Sequence, residues 1–163
     1  MSSERELWLP DEAATVALGR ALGERLRAGD TLALGGDLGA GKTCLVRGVA
    51  VGLGIDDPEA VQSPTYLLVM EHPGPTPLLH VDAYLPDKTR AFLADGGETY
   101  LFDRNGVVAV EWAERIGEFL PARTLWLRLE PGRAGRGGRI ASVSDPTGAF
   151  PWIEKIRGSG PPA

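Results

Sequence analysis

Downstream of Pro10 the apolar residues Ala14, Leu18, Ala21, Leu22 and Leu26 recur at spacings of three and four, which predicts an amphipathic helix. Asp11 or Glu12 stands where a side chain can serve the free N–H groups of its first turn. Ahead of it, Glu6-Leu-Trp-Leu9 reads as a short strand closed by Pro10. Behind it, Gly29 and Asp30 end the helix and open Thr31-Leu-Ala-Leu34, an apolar run of strand length. A glycine-rich turn from Gly35 to Gly41 then leads into a second helix, through about Leu53.

Further along, a polar loop spans residues 56–62, and residues 65–70 and 78–82 read as strands around the turn Pro73-Gly-Pro-Thr-Pro77. Residues 89–94 predict a short helix. The β-branched run Val107-Val-Ala-Val110 has the character of a buried central strand. A short helix over 113–119 follows, then a terminal hairpin of strands 124–129 and 139–143. Residues 1–145 are expected to form one domain, and 146–163 a Gly/Pro-rich, frayed tail. A strand, a Gly-rich turn and a helix, followed by further strands, predict an α/β three-layer P-loop NTPase fold. Its central sheet is mostly parallel, with antiparallel edge strands and the C-terminal hairpin.

Composition changes the picture in three places. At 163 residues with 43% hydrophobic and 24% charged side chains, the chain suits one soluble globular domain, expected in the cytoplasm and not in a membrane. The single cysteine, Cys44, excludes an intrachain disulfide. The net charge of −5 argues against a surface that grips nucleic acid throughout. That charge is uneven: residues 1–120 carry −9 and residues 121–163 carry +4. In the basic segment Arg128, Arg133, Arg136 and Arg139 either meet nucleotide, tRNA or an acidic partner, or keep an exposed hairpin soluble. Arg136 is the best placed of them for a nucleotide.

Candidate chemistry begins with Gly36-Asp-Leu-Gly-Ala-Gly-Lys-Thr43, which matches G-x-x-x-x-G-K-[S/T] between a predicted strand and helix. At this chain's own residue frequencies a chance match is expected roughly once in two hundred such chains. Glycines let successive N–H groups face one anion, and the new helix adds its positive end. Lys42 would reach the β- and γ-phosphates, and the Thr43 hydroxyl would ligate Mg²⁺. Cys44, just inside that helix, is either a reactive thiol or a small packed residue. Such a site also needs acids at neighbouring strand ends; Glu111 and Asp82 occupy those positions. His80 shares a strand face with Asp82, His72 is expected to be exposed, and Tyr84 and Trp112 either pack the core or wall the site. Ser63-Pro-Thr65 fits a switch segment or a simple turn.

Five motifs stand in order: Leu9-Pro-Asp-Glu12, the Gly36–Thr43 loop, Ser63-Pro-Thr-Tyr66, His80-Val-Asp-Ala-Tyr84 and Val110-Glu-Trp112. Their order and spacing resemble the bacterial TsaE (YjeE) family, small ATPases of tRNA threonylcarbamoyladenosine biosynthesis. The likeness runs from about residue 7 to 143, and Gly135-Arg136 and Arg139 look like that family's basic hairpin. The resemblance implies ATP and Mg²⁺ as ligands, slow hydrolysis by the isolated protein, and action with TsaD and TsaB proteins. Those partners modify the adenosine 3′ to the anticodon in tRNAs reading codons that start with A. The ATP cycle would reset the transferase, and tRNA would be met only indirectly. By position, Lys42 and the backbone of Gly36, Asp37, Leu38, Gly39, Ala40, Gly41, Thr43 and Cys44 would hold phosphates. Thr43 and Glu111 would hold the metal, Asp82 would orient water, Thr65 would act as a switch residue, and Asp11 would approach the adenine.

One position departs from the family: the Arg that usually follows its His-x-Asp-x-Tyr motif is Leu85 here, and Arg90 or Arg47 would have to substitute. Two other functions compete. A small-molecule P-loop kinase is disfavoured because a strand and a full helix precede the loop and no Arg-rich lid follows. A nucleotide-binding adaptor without hydrolysis needs the same loop and stays open. GTP is disfavoured: Asn105 is the sole asparagine and begins no Asn-Lys-x-Asp motif.

Overall fold

Alternation along the apolar runs sorts them onto the two faces of a single seven-stranded sheet. The structure, a computed structural model, describes residues 2–103, 105–135 and 137–159. In chain order the elements are β1 (Ser3–Leu9), α1 (Glu12–Gly23), β2 (Thr31–Gly35), α2 (Lys42–Leu53), β3 (Val69–His72) and β4 (Leu78–Asp82). Then come α3 (Pro86–Phe92), α4 (Glu98–Phe102), β5 (Val107–Glu111), β6 (Thr124–Pro131) and β7 (Arg139–Asp145). The strand order is β1-β7-β6-β2-β5-β4-β3. The inner strands β6, β2, β5 and β4 are parallel, while β1, β7 and β3 pair antiparallel, as the sequence predicts.

Odd and even residues of the central strands reach separate cores. Leu32 and Leu34 of β2 join Leu45, Val46 and Val49 beneath α1 and α2, while Ala33 joins Leu79, Val81, Val108 and Val110 on the side of α3 and α4. His80 and Asp82 lie two and four residues beyond Leu78, and Glu111 lies two beyond Ala109, so all three face α2. Register completes the placement: Asp82 sits directly opposite Glu111 at the C-terminal ends of β4 and β5.

Helices α1 and α2 touch backbone to backbone. A Cβ on Gly19 would lie 2.2 Å from the Leu45 carbonyl, and one on Gly48 would lie 2.2 Å from the Val16 carbonyl. Gly23 and Gly52 repeat the contact one turn on, each with 2.3 Å to a facing carbonyl. Asp11 caps α1, its Oδ1 accepting from the Ala14 N–H at 2.8 Å. Gly54 ends α2 in the left-handed conformation, with φ of 73°.

Four expectations are corrected. Residues 65–68 form a turn, not the start of a strand: the N–H groups of Leu67 and Leu68 donate to the Pro64 carbonyl, and Leu68 has φ of 65°. The helix expected over 89–94 begins at Pro86, whose ring suits a first helical position, and continues past a kink at Gly96 to Phe102. His72 is buried on β3, facing His80 with ring centroids 6.5 Å apart. Residues 146–156 of the tail dock instead of fraying. Asp145 accepts from the N–H groups of Ala149 and Phe150, and Arg5 donates to the carbonyls of Ile153 and Ile156 at 2.7 Å. Phe150, Ile153 and Ile156 thereby join the core under α1 and α2, so its packing runs past residue 145.

Candidate nucleotide-binding site

The loop between β2 and α2 needs glycine at fixed points. Gly36, Gly39 and Gly41 adopt φ of 130°, 76° and 105°, a region that side chains other than glycine's seldom enter. A Cβ on Gly36 would stand 2.5 Å from the Leu129 carbonyl, so this loop lies directly against the end of β6. Beyond Gly41 the first N–H groups of α2 have no partner within the helix, and they converge with its dipole on the space in front.

That space is an open cavity of about 390 Å³. Residues Leu38 to Cys44 line one side, and Ser63, Thr65, Asp82, Tyr84, Glu111 and Trp112 line the other. Lys42 is buried, donating to the carbonyls of Gly36 and Asp37, and its ammonium lies 3.8 Å from the centroid of the Trp112 ring. Burial pulls its pKa below the usual lysine value, while Glu111, Glu114, Asp82 and Asp37 oppose that shift. Trp112 itself has φ of 58°, strained for a bulky side chain, and packs against Tyr84 in a tilted arrangement with centroids 5.3 Å apart. Both aromatics therefore wall the site.

The acids are held by specific donors. The Thr43 hydroxyl lies 3.1 and 3.2 Å from the two carboxylate oxygens of Glu111, and His80 Nε2 lies 2.5 Å from Oε2. Asp82 accepts from Ser63 at 2.6 Å, from Thr65 at 2.8 Å and from the Tyr84 N–H at 2.8 Å. An ionised carboxylate has about four acceptor positions, so one remains for a further donor. A hydroxyl and a carboxylate side by side are hard oxygen donors, suited to Mg²⁺ held partly by phosphate. The glycine cradle suits a polyphosphate.

A second cavity of about 340 Å³ adjoins the first across Gly39, Ala40, Gly41 and Cys44. Asp11 lines it, with one carboxylate oxygen already committed to capping α1. The Cys44 thiol contacts the Glu12 carbonyl, and burial, followed by Glu12, raises its pKa. Asp37 and Leu38 form the exposed tip of the loop. Arg136 lies outside the described residues.

Neither proposed stand-in for the family arginine enters the cavity. Arg90 pairs with Glu118 and the Arg115 carbonyl, and Arg47 donates to the Val61 carbonyl. Arg115, absent from the sequence reading, occupies that side: it donates to the Tyr84 carbonyl and lies over the Trp112 ring at 4.4 Å. Ser63 is the other omission, although its place in Ser63-Pro-Thr65 marked it. Arg139 touches the glycine loop, donating to the carbonyls of Ala40 and Gly39 at 2.9 and 3.0 Å.

Comparison with known proteins is consistent throughout. The family described as "Threonylcarbamoyl adenosine biosynthesis protein TsaE" matches residues 9–138. A Mycobacterium leprae protein, "tRNA threonylcarbamoyladenosine biosynthesis protein TsaE", is 45% identical over 124 residues, covering 71% of this chain and 76% of its own. A Bacillus subtilis protein of that name is 40% identical over 128 residues, covering 77% and 75%. Among solved structures, Bacillus subtilis YdiB superposes with a TM-score of 0.71 at 27% identity, over 95% of this chain and 94% of that one.

Proposed function

The chain belongs to the TsaE family, and from that premise we propose that it is the Mg²⁺-dependent ATPase subunit of the machinery that threonylcarbamoylates tRNA. The observation that carries the ATPase assignment is the pairing of a phosphate loop with two acids in register, Asp82 and Glu111. Each acid is held by hydroxyls, from Ser63 and Thr65 on one and Thr43 on the other.

In this reading Lys42 leaves the carbonyls of Gly36 and Asp37 and moves to the β- and γ-phosphate oxygens. The amides of the loop and of the first turn of α2 hold the remaining phosphate charge. Thr43 and Glu111 would hold a Mg²⁺ ion, which would supply neutralisation of phosphate charge there. Asp82 directs its free acceptor position at a water in line with the γ-phosphorus. Attack forms the new P–O bond and breaks the bond to the β,γ-bridging oxygen. ADP and inorganic phosphate leave, and Asp82 takes the water's proton. Ser63 and Thr65, resting on Asp82, are placed to report whether a γ-phosphate is present. Trp112 and Tyr84 shield the site.

ATP turnover of this kind would reset a TsaD-like transferase bound with its TsaB-like partner, between rounds acting on tRNAs that read codons starting with A. The acidic balance of the chain supports an indirect relation to tRNA, and the cytoplasm is the expected compartment. No helix among the described residues is long and apolar enough to cross a membrane. The test is ATP hydrolysis with Mg²⁺, alone and with the purified partners, in the wild type, Lys42→Ala and Glu111→Ala. Slow turnover stimulated by the partners and lost in both variants is expected. Unchanged hydrolysis in both variants would remove the assignment.

A further inference from the structure

The geometry points to Arg139 as a positioning residue for the phosphate loop, acting from the C-terminal hairpin through the carbonyls of Gly39 and Ala40. The inference rests on the nucleotide reading above and assigns a role to a residue outside the β2–α2 unit.

An anion-binding loop must turn N–H groups inward, and each planar peptide then sends its carbonyl the opposite way. Those outward carbonyls need donors of their own. Among the described residues, two side chains donate to carbonyls of this loop, Lys42 from the cavity side and Arg139 from the hairpin side. Lys42 takes Gly36 and Asp37, and Arg139 takes Ala40 through Nε at 2.9 Å and Gly39 through Nη2 at 3.0 Å. Holding the Ala40 carbonyl on the arginine side turns the N–H of the next residue, Gly41, away from it; Gly41 lines the cavity. Once Lys42 moves to phosphate, Arg139 is the side chain left holding the outer face.

Arg139 is itself well held. Its backbone lies in β7 opposite both Leu9 of β1 and Pro131 of β6, so strands pair on both sides of it. Nη1 donates to the Gly138 carbonyl at 3.0 Å. Gly138 has φ of 65° and packs so closely on β1 that a Cβ there would lie 2.6 Å from the Leu9 carbonyl. A planar fork spans two carbonyls at once, and a lysine ammonium on a flexible stem does not reproduce that geometry.

The test uses isothermal titration of the full chain with Mg-ATP and, separately, with inorganic triphosphate, which lacks base and ribose. Wild type, Arg139→Ala and Arg139→Lys are compared, with melting temperatures and amide exchange of Gly39 and Gly41 in the free protein. Arg139→Ala is expected to weaken both ligands by the same factor, about tenfold, and to speed exchange at Gly41. Arg139→Lys should recover only part of the affinity, and melting temperatures should stay close to wild type. An unchanged affinity for both ligands would overturn the inference. So would a loss confined to ATP, which would make Arg139 a base or ribose contact. A wild type that bound neither ligand would remove the nucleotide reading itself, and this inference with it.

Discussion

The two sides of the main cavity are built from different material. On the α2 side the cavity-facing groups are largely main chain, joined by the side chains of Lys42 and Thr43. Gly36, Gly39 and Gly41 shape the loop, β6 backs it through the Leu129 carbonyl, and α1 locks the helix behind it so closely that a Cβ on Gly19 or Gly48 would stand 2.2 Å from a facing carbonyl. On the β4–β5 side they are side chains, with Asp82 and Glu111 each tied by hydroxyls and His80 resting on Glu111. The difference separates two tasks. In the proposed function a main-chain wall would recognise phosphate through amides common to every residue, so it should fail when a methyl group is added. A side-chain wall sets the chemistry, so it fails when a functional group is removed.

Breaking the contrast at its strongest point means removing the cation of α2 that reaches across to the Trp112 wall. Lys42→Ala should weaken Mg-ATP binding by about a hundredfold or more, measured by titration, because a buried charge-assisted contact to phosphate is lost. Next, Asp82→Asn should lower kcat by about 10²-fold while nucleotide affinity changes little, since the amide keeps the shape but not the base. Gly48→Ala tests the other wall. The added methyl would meet the Val16 carbonyl, and the expected loss of about 1–3 kcal/mol should lower the melting temperature by several degrees. Ser63→Ala removes one of three donors to Asp82 and should change turnover by about fivefold, with stability near wild type.

The smallest effect lies behind the acid wall. Burial, then the neighbouring His80, hold the His72 pKa below its ordinary value of 6.5, with Asp57 opposing. Below pH 6.5 the unfolded chain therefore takes up a proton at this position before the folded one does, and stability falls as the pH drops. Denaturant melts of His72→Asn at pH 5 and pH 7.5 should show a smaller loss between the two than wild type. An identical loss would place the acid sensitivity elsewhere.

How much of this was legible in the sequence follows from the same contrast. The glycine loop is contiguous, so eight residues carry its whole pattern. Asp82 and Glu111 were visible because each ends an apolar run, and parallel strands bring such ends to one edge. The bond from Arg139 to the loop spans about a hundred residues and depends on β7 pairing with both β1 and β6, which no local pattern encodes. Arg115 lies over the ring of Trp112, which turns with positive φ, and no local pattern marks either feature. The glycines of α1 and α2 carry no local signal of their pairing, and only the packed helices explain them. The strand expected at residue 65 failed because Thr65 serves Asp82 from a turn, and a β-branched residue with that task resembles a strand residue in sequence.

Single-turnover hydrolysis of Mg-ATP by Asp82→Asn, with binding measured on the same preparation, tests the division between the walls most directly. Nucleotide bound at near wild-type affinity with hydrolysis slowed by about 10²-fold is the result this account predicts. Hydrolysis at the wild-type rate, or affinity and rate falling together, would contradict it.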